Sequence, residues 1–365
     1  MKISTVIQHL EIFAPAALQE AYDNAGLLTG SDQWECTGII VALDTTEDVV
    51  AEAISKKCNL IIAHHPIIFK GLKKITGKNY VERTVISAIK NDVAIYAIHT
   101  NLDNVIRGVN GKIAELLGLK NLTILKPTEL PLKKLVTFAP LKEAEKIRSA
   151  LFAAGAGRLG KYSECSFNIE GTGTFTAGDG ADPHVGNIGK RHEEREMKIE
   201  VIFNAYLQDK IVKAMIEAHP YEEAAYDIFQ LSNYLADTGS GLLGELPEAT
   251  DEISLLQKIK SSFNLKVIKH TRFTGNKVKK IALCGGAGSF LIPTAIASQA
   301  KVYITSDITY HEFFDADNKI LIADIGHYES EQFTIDLLHT NLKEKFVSFA
   351  VLKTEVNTNP VHYFT

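Results

Sequence analysis

The chain has 365 residues, 45% of them hydrophobic and 23% charged, with 39 Lys and Arg against 44 Asp and Glu for a net charge of −5. Such a composition supplies a large core and excludes global disorder, and its mild acidic excess weighs against a nucleic-acid coat, leaving only a locally basic cavity as a route to such binding. Four cysteines without CxxC spacing exclude a thiolate zinc site or a disulfide scaffold; with no signal-peptide core in MKISTVIQHLEIFAP and no membrane-length apolar run, a cytoplasmic protein is expected.

The spacing of 3–21 predicts a helix, with Pro15 opening a second short one, followed by a turn-rich hexapeptide at 22–27. Apolar runs at 38–43, 60–63 and 93–98 read as buried strands, with helices at 45–56, capped by Thr45 or Thr46, and at 80–91. Near-continuous apolar strands alternating with helices indicate parallel βαβ units. A further short helix is expected at 109–118.

Around Lys126-Pro127 the pattern changes. A strand at 133–138, a helix at 141–154, antiparallel hairpins within 162–205, a helix at 207–218 and a strand at 224–231 give β-α-β-β-α-β, the ferredoxin-like plan. Gly239-Ser240-Gly241 reads as a flexible join. The first style then resumes, with helices at 255–263, 292–299 and 310–315 and strands at 265–269, 278–284, 302–305 and 320–325. The fold class is therefore α/β: a discontinuous domain at 1–127 and 236–365, interrupted by an α+β domain at 128–235. Its two halves resemble each other, because the strand 93–98 running into His99 and Asp103 is answered by 320–325 running into His327 and Glu331.

Histidines are the chemically informative residues. His64 and His65 directly follow a strand, at the carboxyl edge where open parallel sheets bind ligands. Alone, the pair also suits a solvated or core-bonded role. However, Asp103 and the His327–Glu331 pair follow two other strands, and His327 and Glu331 share one helical face. Three imidazoles and two carboxylates suit two divalent ions of borderline softness, with Zn, Fe, Mn, Co and Ni all compatible. A shared carboxylate and a bridging water at about 3.5–4 Å metal separation would be expected.

His99, Asp307 and His311 lie at the same expected edge as proton-shuttling or ligand-orienting residues, with a helix cap at Asp307 and a packed His311 as the plain alternatives. Tyr22, Asp23 and Asn24 either line the site or form an Asx-capped turn. Gly285, Gly286 and Gly288 in CGGAGS suit either a tight turn or a phosphate contact at a helix N-terminus, although no P-loop Lys follows. His219 to Glu223, HPYEE, marks a helix-to-strand junction.

YDNAGL at 22–27, IIAHHP at 61–66, HTNLD at 99–103, CGGAGS at 284–289, ITSDITYHE at 304–312 and DIGHYESE at 324–331 occur in order through both halves. In this set the chain resembles the Nif-three-like dinuclear metal proteins, often labelled GTP cyclohydrolase 1 type 2 homologues. The resemblance implies His64, His65, Asp103, His327 and Glu331 as metal ligands, two divalent ions per subunit, and a PII-like or CutA-like insert in a toroidal homohexamer. It further implies a metal-dependent hydrolase acting on a nucleotide by opening the GTP imidazole ring, while the CGGAGS glycine loop suggests a phosphoester as the alternative substrate. A non-catalytic metal-binding regulator, metal chaperone or scaffold ring is the other reading. No membrane partner is expected.

Overall fold

The computed structural model describes residues 1–128, 131–234 and 237–364. The chain divides into two compact units, one formed by Met1–Pro127 with Asp237–Thr365, the other by Thr128–Ala236.

The first unit contains two sheets. One runs in the order Gly26–Thr29, Ala94–Ala97, Leu60–Ala63, Ile39–Ala42, Val351–Lys353. Its last four strands are parallel, and Gly26–Thr29 pairs antiparallel at the edge. Every position of Ile39–Ala42, Leu60–Ala63 and Ala94–Ala97 is buried, which explains their unbroken apolar text. The crossover helices Glu47–Ser55 and Tyr80–Lys90 begin where Thr46 and Asn79 side chains accept from the amides of Val49 and Glu82.

The second sheet runs Lys269–His270, Leu321–Asp324, Val302–Ser306, Val278–Ala287, Gly239–Thr250, Lys120–Pro127. Both sheets thus share one plan: three parallel strands in chain order with an antiparallel strand beyond the third. A single apolar core joins them, with Ile39, Leu60, Ile62 and Tyr96 from one sheet and Ile281, Val302, Ile304 and Leu321 from the other. This shared core fixes the strand ends of both sheets in one rigid frame.

Four local expectations change. Residues 22–27 end in the strand Gly26–Thr29, and Lys120–Pro127 is a strand whose mixed text hid it. The expected strand at 265–269 shrinks to Lys269–His270. Gly239-Ser240-Gly241 is no flexible join. It opens the strand Gly239–Thr250, with both glycines buried and the Gly239 amide donating to Asn104 O at 2.8 Å. Gly241 has φ +67°, and an added Cβ would lie 2.8 Å from Leu291 Cδ1 and 2.9 Å from Leu283 O.

In the second unit the sheet order is Ser166–Thr176, Arg191–Asn204, Pro131–Pro140, Tyr226–Tyr234, all antiparallel. The helices Ala144–Ala154 and Gln208–Ala218 pack on one face through Ile147, Leu151, Ile211 and Met215 against Leu135, Ile199 and Val201. This is the ferredoxin-like topology.

Gly241→Ala is expected to destabilise the chain by about 1–3 kcal/mol, because a side chain is forced into the left-handed region against a packed wall. Denaturant unfolding checks this; a change within about 0.5 kcal/mol, as at an unconstrained linker, would contradict it.

Candidate metal centre

His64 and His65 leave the strand Leu60–Ala63 with their backbones still in the ladder: the His64 amide donates to Ala42 O and the His65 amide to Leu43 O. Their rings therefore start from a fixed frame at the carboxyl edge. His64 Nδ1 lies 2.9 Å from Ile98 O, and His65 Nδ1 lies 2.7 Å from Asp44 Oδ1. His327 Nδ1 is 2.6 Å from Asp307 Oδ2, and His99 Nδ1 is 2.7 Å from Asp23 Oδ1. A carbonyl or carboxylate oxygen can only accept, so each Nδ1 carries the proton. Each Nε2 is thereby available as a ligand atom, the arrangement that outer carboxylates impose on metal-binding imidazoles.

The carboxylates complete the set. His327–Glu331 is a short helix that places the two side chains on one face. Glu331 is 3% exposed, with Oε2 2.9 Å from His65 Nε2 and 3.2 Å from His327 Nε2. Its Oε1 lies 3.8 Å from His64 Nε2, and Asp103 Oδ1 lies 3.6 Å from that same nitrogen. Among the described residues, three groups could hold a metal ion: His65, His327 and Glu331; His64, Asp103 and Glu331; and His64, His65 and His99. Glu331 belongs to the first two.

His64 Nε2 and Asp103 Oδ1 are both buried without a hydrogen-bond partner. Leaving a buried acceptor unmade costs about 1–3 kcal/mol, more when it is charged. A cation between these two atoms would satisfy both, so this donor set fits a divalent ion.

The electrostatics are those of a site short of positive charge. Burial, reinforced by the Glu331 carboxylate, pushes Asp103 up to about 7. Burial acts against the charged form of Glu331 as well, but hydrogen bonds from His327 and His65, with the His64 imidazole close by, outweigh it and hold Glu331 well below the usual carboxylate range. Burial alone would lower His65 and His327; hydrogen bonds to Asp44 and Glu331 push the first up to about 10, and those to Asp307 and Glu331 push the second up to about 11. Asp23 is desolvated, yet His99 and Thr100 bring it down to about 2. Protons on the imidazoles thus balance a ring of carboxylates, and metal binding releases such protons.

The structure brings together all five residues expected as ligands, and sets His99 beside them, its ring centroid 5.3 Å from His64 and 5.4 Å from His65. Asp307 is an orienting partner of His327. His311 is exposed and turned toward Tyr310 and Phe314, outside the three groups. Gly285, Gly286 and Gly288, read as either a tight turn or a phosphate contact, lie where the strand Val278–Ala287 gives way to a short helical turn at Ser289–Leu291. The amides of Gly285 and Gly286 already donate to Asn110 Oδ1 and Ser330 Oγ. A Cβ on Gly286 would lie 2.4 Å from Glu331 Oε1, one on Gly285 2.8 Å from Val109 Cγ1, and one on Gly288 2.4 Å from Thr305 Oγ1. These glycines make room for Glu331 and the packed side chains around it. Sequence reasoning missed Asp44 altogether, although it follows a parallel strand at the same edge that singled out the histidines.

Comparison with known proteins shows the family. Residues 1–360 match the family model Duf34/NIF3 (NGG1p interacting factor 3), and the chain belongs to that family. It is 38% identical to a protein of Halalkalibacterium halodurans called GTP cyclohydrolase 1 type 2 homolog, with 99% of each chain covered. A Bacillus subtilis protein of the same name is 36% identical, covering 97% of this chain and 96% of its own length. Among solved structures, a Bacillus cereus protein related to NIF3 superposes with TM-score 0.87 at 37% identity, covering 100% of this chain and 99% of its own. Among the described residues, no helix is long and apolar enough to cross a membrane.

Asp44→Asn removes the charged acceptor that fixes the His65 tautomer. It is expected to weaken retention of a divalent ion at His65 by about 10–100-fold. Competition with a chromogenic chelator measures this, and unchanged retention would contradict the orienting role.

Proposed function

We propose that the chain is a metal-dependent hydrolase holding two divalent ions, one at His64, Asp103 and Glu331 and the other at His65, His327 and Glu331. The observation that carries this reading is the single buried Glu331 carboxylate shared by two separate three-residue groups. Imidazole with carboxylate suits Zn, Fe, Mn, Co or Ni. Two such ions supply Lewis acidity and a water acidic enough to ionise near neutral pH.

The chain's own residues divide the remaining tasks. Asp44 and Asp307 fix the rings of His65 and His327, and Ile98 O fixes His64. His99, held at Nδ1 by Asp23, presents Nε2 as the atom that takes and returns a proton. Phe69 stands against His99 edge to face, 6.3 Å between ring centroids. The relatives' shared name makes a nucleotide the substrate class and GTP, through opening of its imidazole ring, the first substrate to test.

Elemental analysis of the purified, metal-replete chain is expected to give two ions per chain, falling to one or none in Glu331→Gln. Loaded with each of the five metals in turn, the chain is expected to turn over GTP with at least one, and His99→Asn to lower the rate by about 10²–10⁴-fold with the metals retained. No turnover with any metal would overturn the cyclohydrolase reading. Two ions per chain in Glu331→Gln would overturn the shared carboxylate.

A further inference from the structure

The second unit contains a cavity of about 630 Å³ that takes no part in the metal chemistry. One wall is the sheet face turned away from the helices. Ile199, Val201 and Phe203 face the helices, so their neighbours Glu196 and Lys198 point to the opposite side. Cross-strand pairing puts Gly171 and Gly173 on that same side, since Gly171 pairs with Glu196 and Gly173 with Glu194. In the strand Ser166–Thr176 these two glycines leave the floor without side chains. A Cβ added at Gly171 would meet nothing within 4 Å, and one at Gly173 would lie 2.1 Å from Glu196 Oε2. Gly171 keeps the hollow open, and Gly173 leaves room for the Glu196 carboxylate at its border.

The lining has a body and a charge. Phe138, Ile169 and Phe175 supply apolar wall. Asp182, Glu196, Glu222 and Glu223 supply carboxylates, whereas Lys198 is already engaged with Glu200 at 2.7 Å. Glu196 is held in place by the Tyr221 hydroxyl, which donates to Oε1 at 2.8 Å. Tyr221 is positioned in turn. Its amide donates to His219 Nδ1, and His219 Nε2 donates to Phe138 O at 2.9 Å. The HPYEE junction therefore serves as a braced wall that aims a carboxylate into the cavity. The carboxylates do not converge on one point. Among the described residues, all clusters able to hold a metal ion lie at the His64–Glu331 centre. Spread negative charge over an apolar floor suits an extended organic cation and not a bare metal ion.

We propose that this cavity is a binding site for a small organic cation, an amine carried on an aromatic or aliphatic body. The body lies over Gly171 between Phe138, Ile169 and Phe175, and the ammonium group donates to Glu196, whose carboxylate stands over Gly173.

Calorimetric titration of the full metal-loaded chain with three molecules of one shape tests this: tryptamine, its neutral counterpart tryptophol and the anion indole-3-propionate. Tryptamine is expected to bind, tryptophol about tenfold or more weaker, and the anion not at all. Glu196→Gln should cut tryptamine affinity by about tenfold or more. Gly171→Leu should abolish binding by filling the hollow, while its open surroundings leave thermal unfolding close to that of the parent. Equal or tighter binding of the anion, no binding of tryptamine, or full affinity in Gly171→Leu would each overturn the proposal. Bound metal, counted in the same samples, reports on the other centre independently.

Discussion

The arrangement depends on one buried carboxylate among imidazoles. Glu331 is almost wholly withdrawn from water yet stays ionised, because His64, His65 and His327 surround it. An isolated buried carboxylate would take up a proton instead. Much of the local sequence makes sense as accommodation of this group. Gly286 has no side chain because Glu331 Oε1 occupies the place of its Cβ. Ser330, beside Glu331, receives the Gly286 amide and so ties the glycine segment to the same helix. Asp44 and Asp307 each hold one of the imidazoles that face the carboxylate.

Why these residues meet is a matter of topology. Each sheet has three parallel strands in chain order, and the middle and third strands carry the chemistry at their carboxyl ends. In the first sheet those ends give His64 with His65, then His99 with Asp103. In the second they give Asp307, then His327 with Glu331. The correspondence extends to the orienting groups, since Asp23 holds His99 as Asp307 holds His327. One apolar core spanning both sheets fixes the spacing, so a site drawn from positions more than 250 residues apart, as for His65 and Glu331 at a separation of 266, behaves as one object.

The parallel strands were legible because they are buried on both faces and therefore uniformly apolar. The histidines were legible because strand ends at the carboxyl edge are where such sheets place ligands. Asp44 was not, since a carboxylate just before Thr45-Thr46 reads as part of a helix start. Nothing local says that it reaches a histidine 21 positions away. The glycines of 239–241 were misread, and those of CGGAGS left open between a tight turn and a phosphate contact, for a common reason. A glycine signals that a side chain is unwelcome but not what excludes it. At Gly286 the excluder is Glu331, and at Gly241 it is Leu291 with the Leu283 carbonyl. The strand Lys120–Pro127 escaped because much of it is exposed, so its text alternates irregularly.

The most direct test of two ions sharing Glu331 is anomalous diffraction from crystals of the metal-replete chain, collected on either side of the metal's absorption edge. Two peaks are predicted, one between His64 and Asp103 and one between His65 and His327, with the Glu331 carboxylate between them. A single peak that leaves either group empty, or no peak at these five residues, would contradict the account.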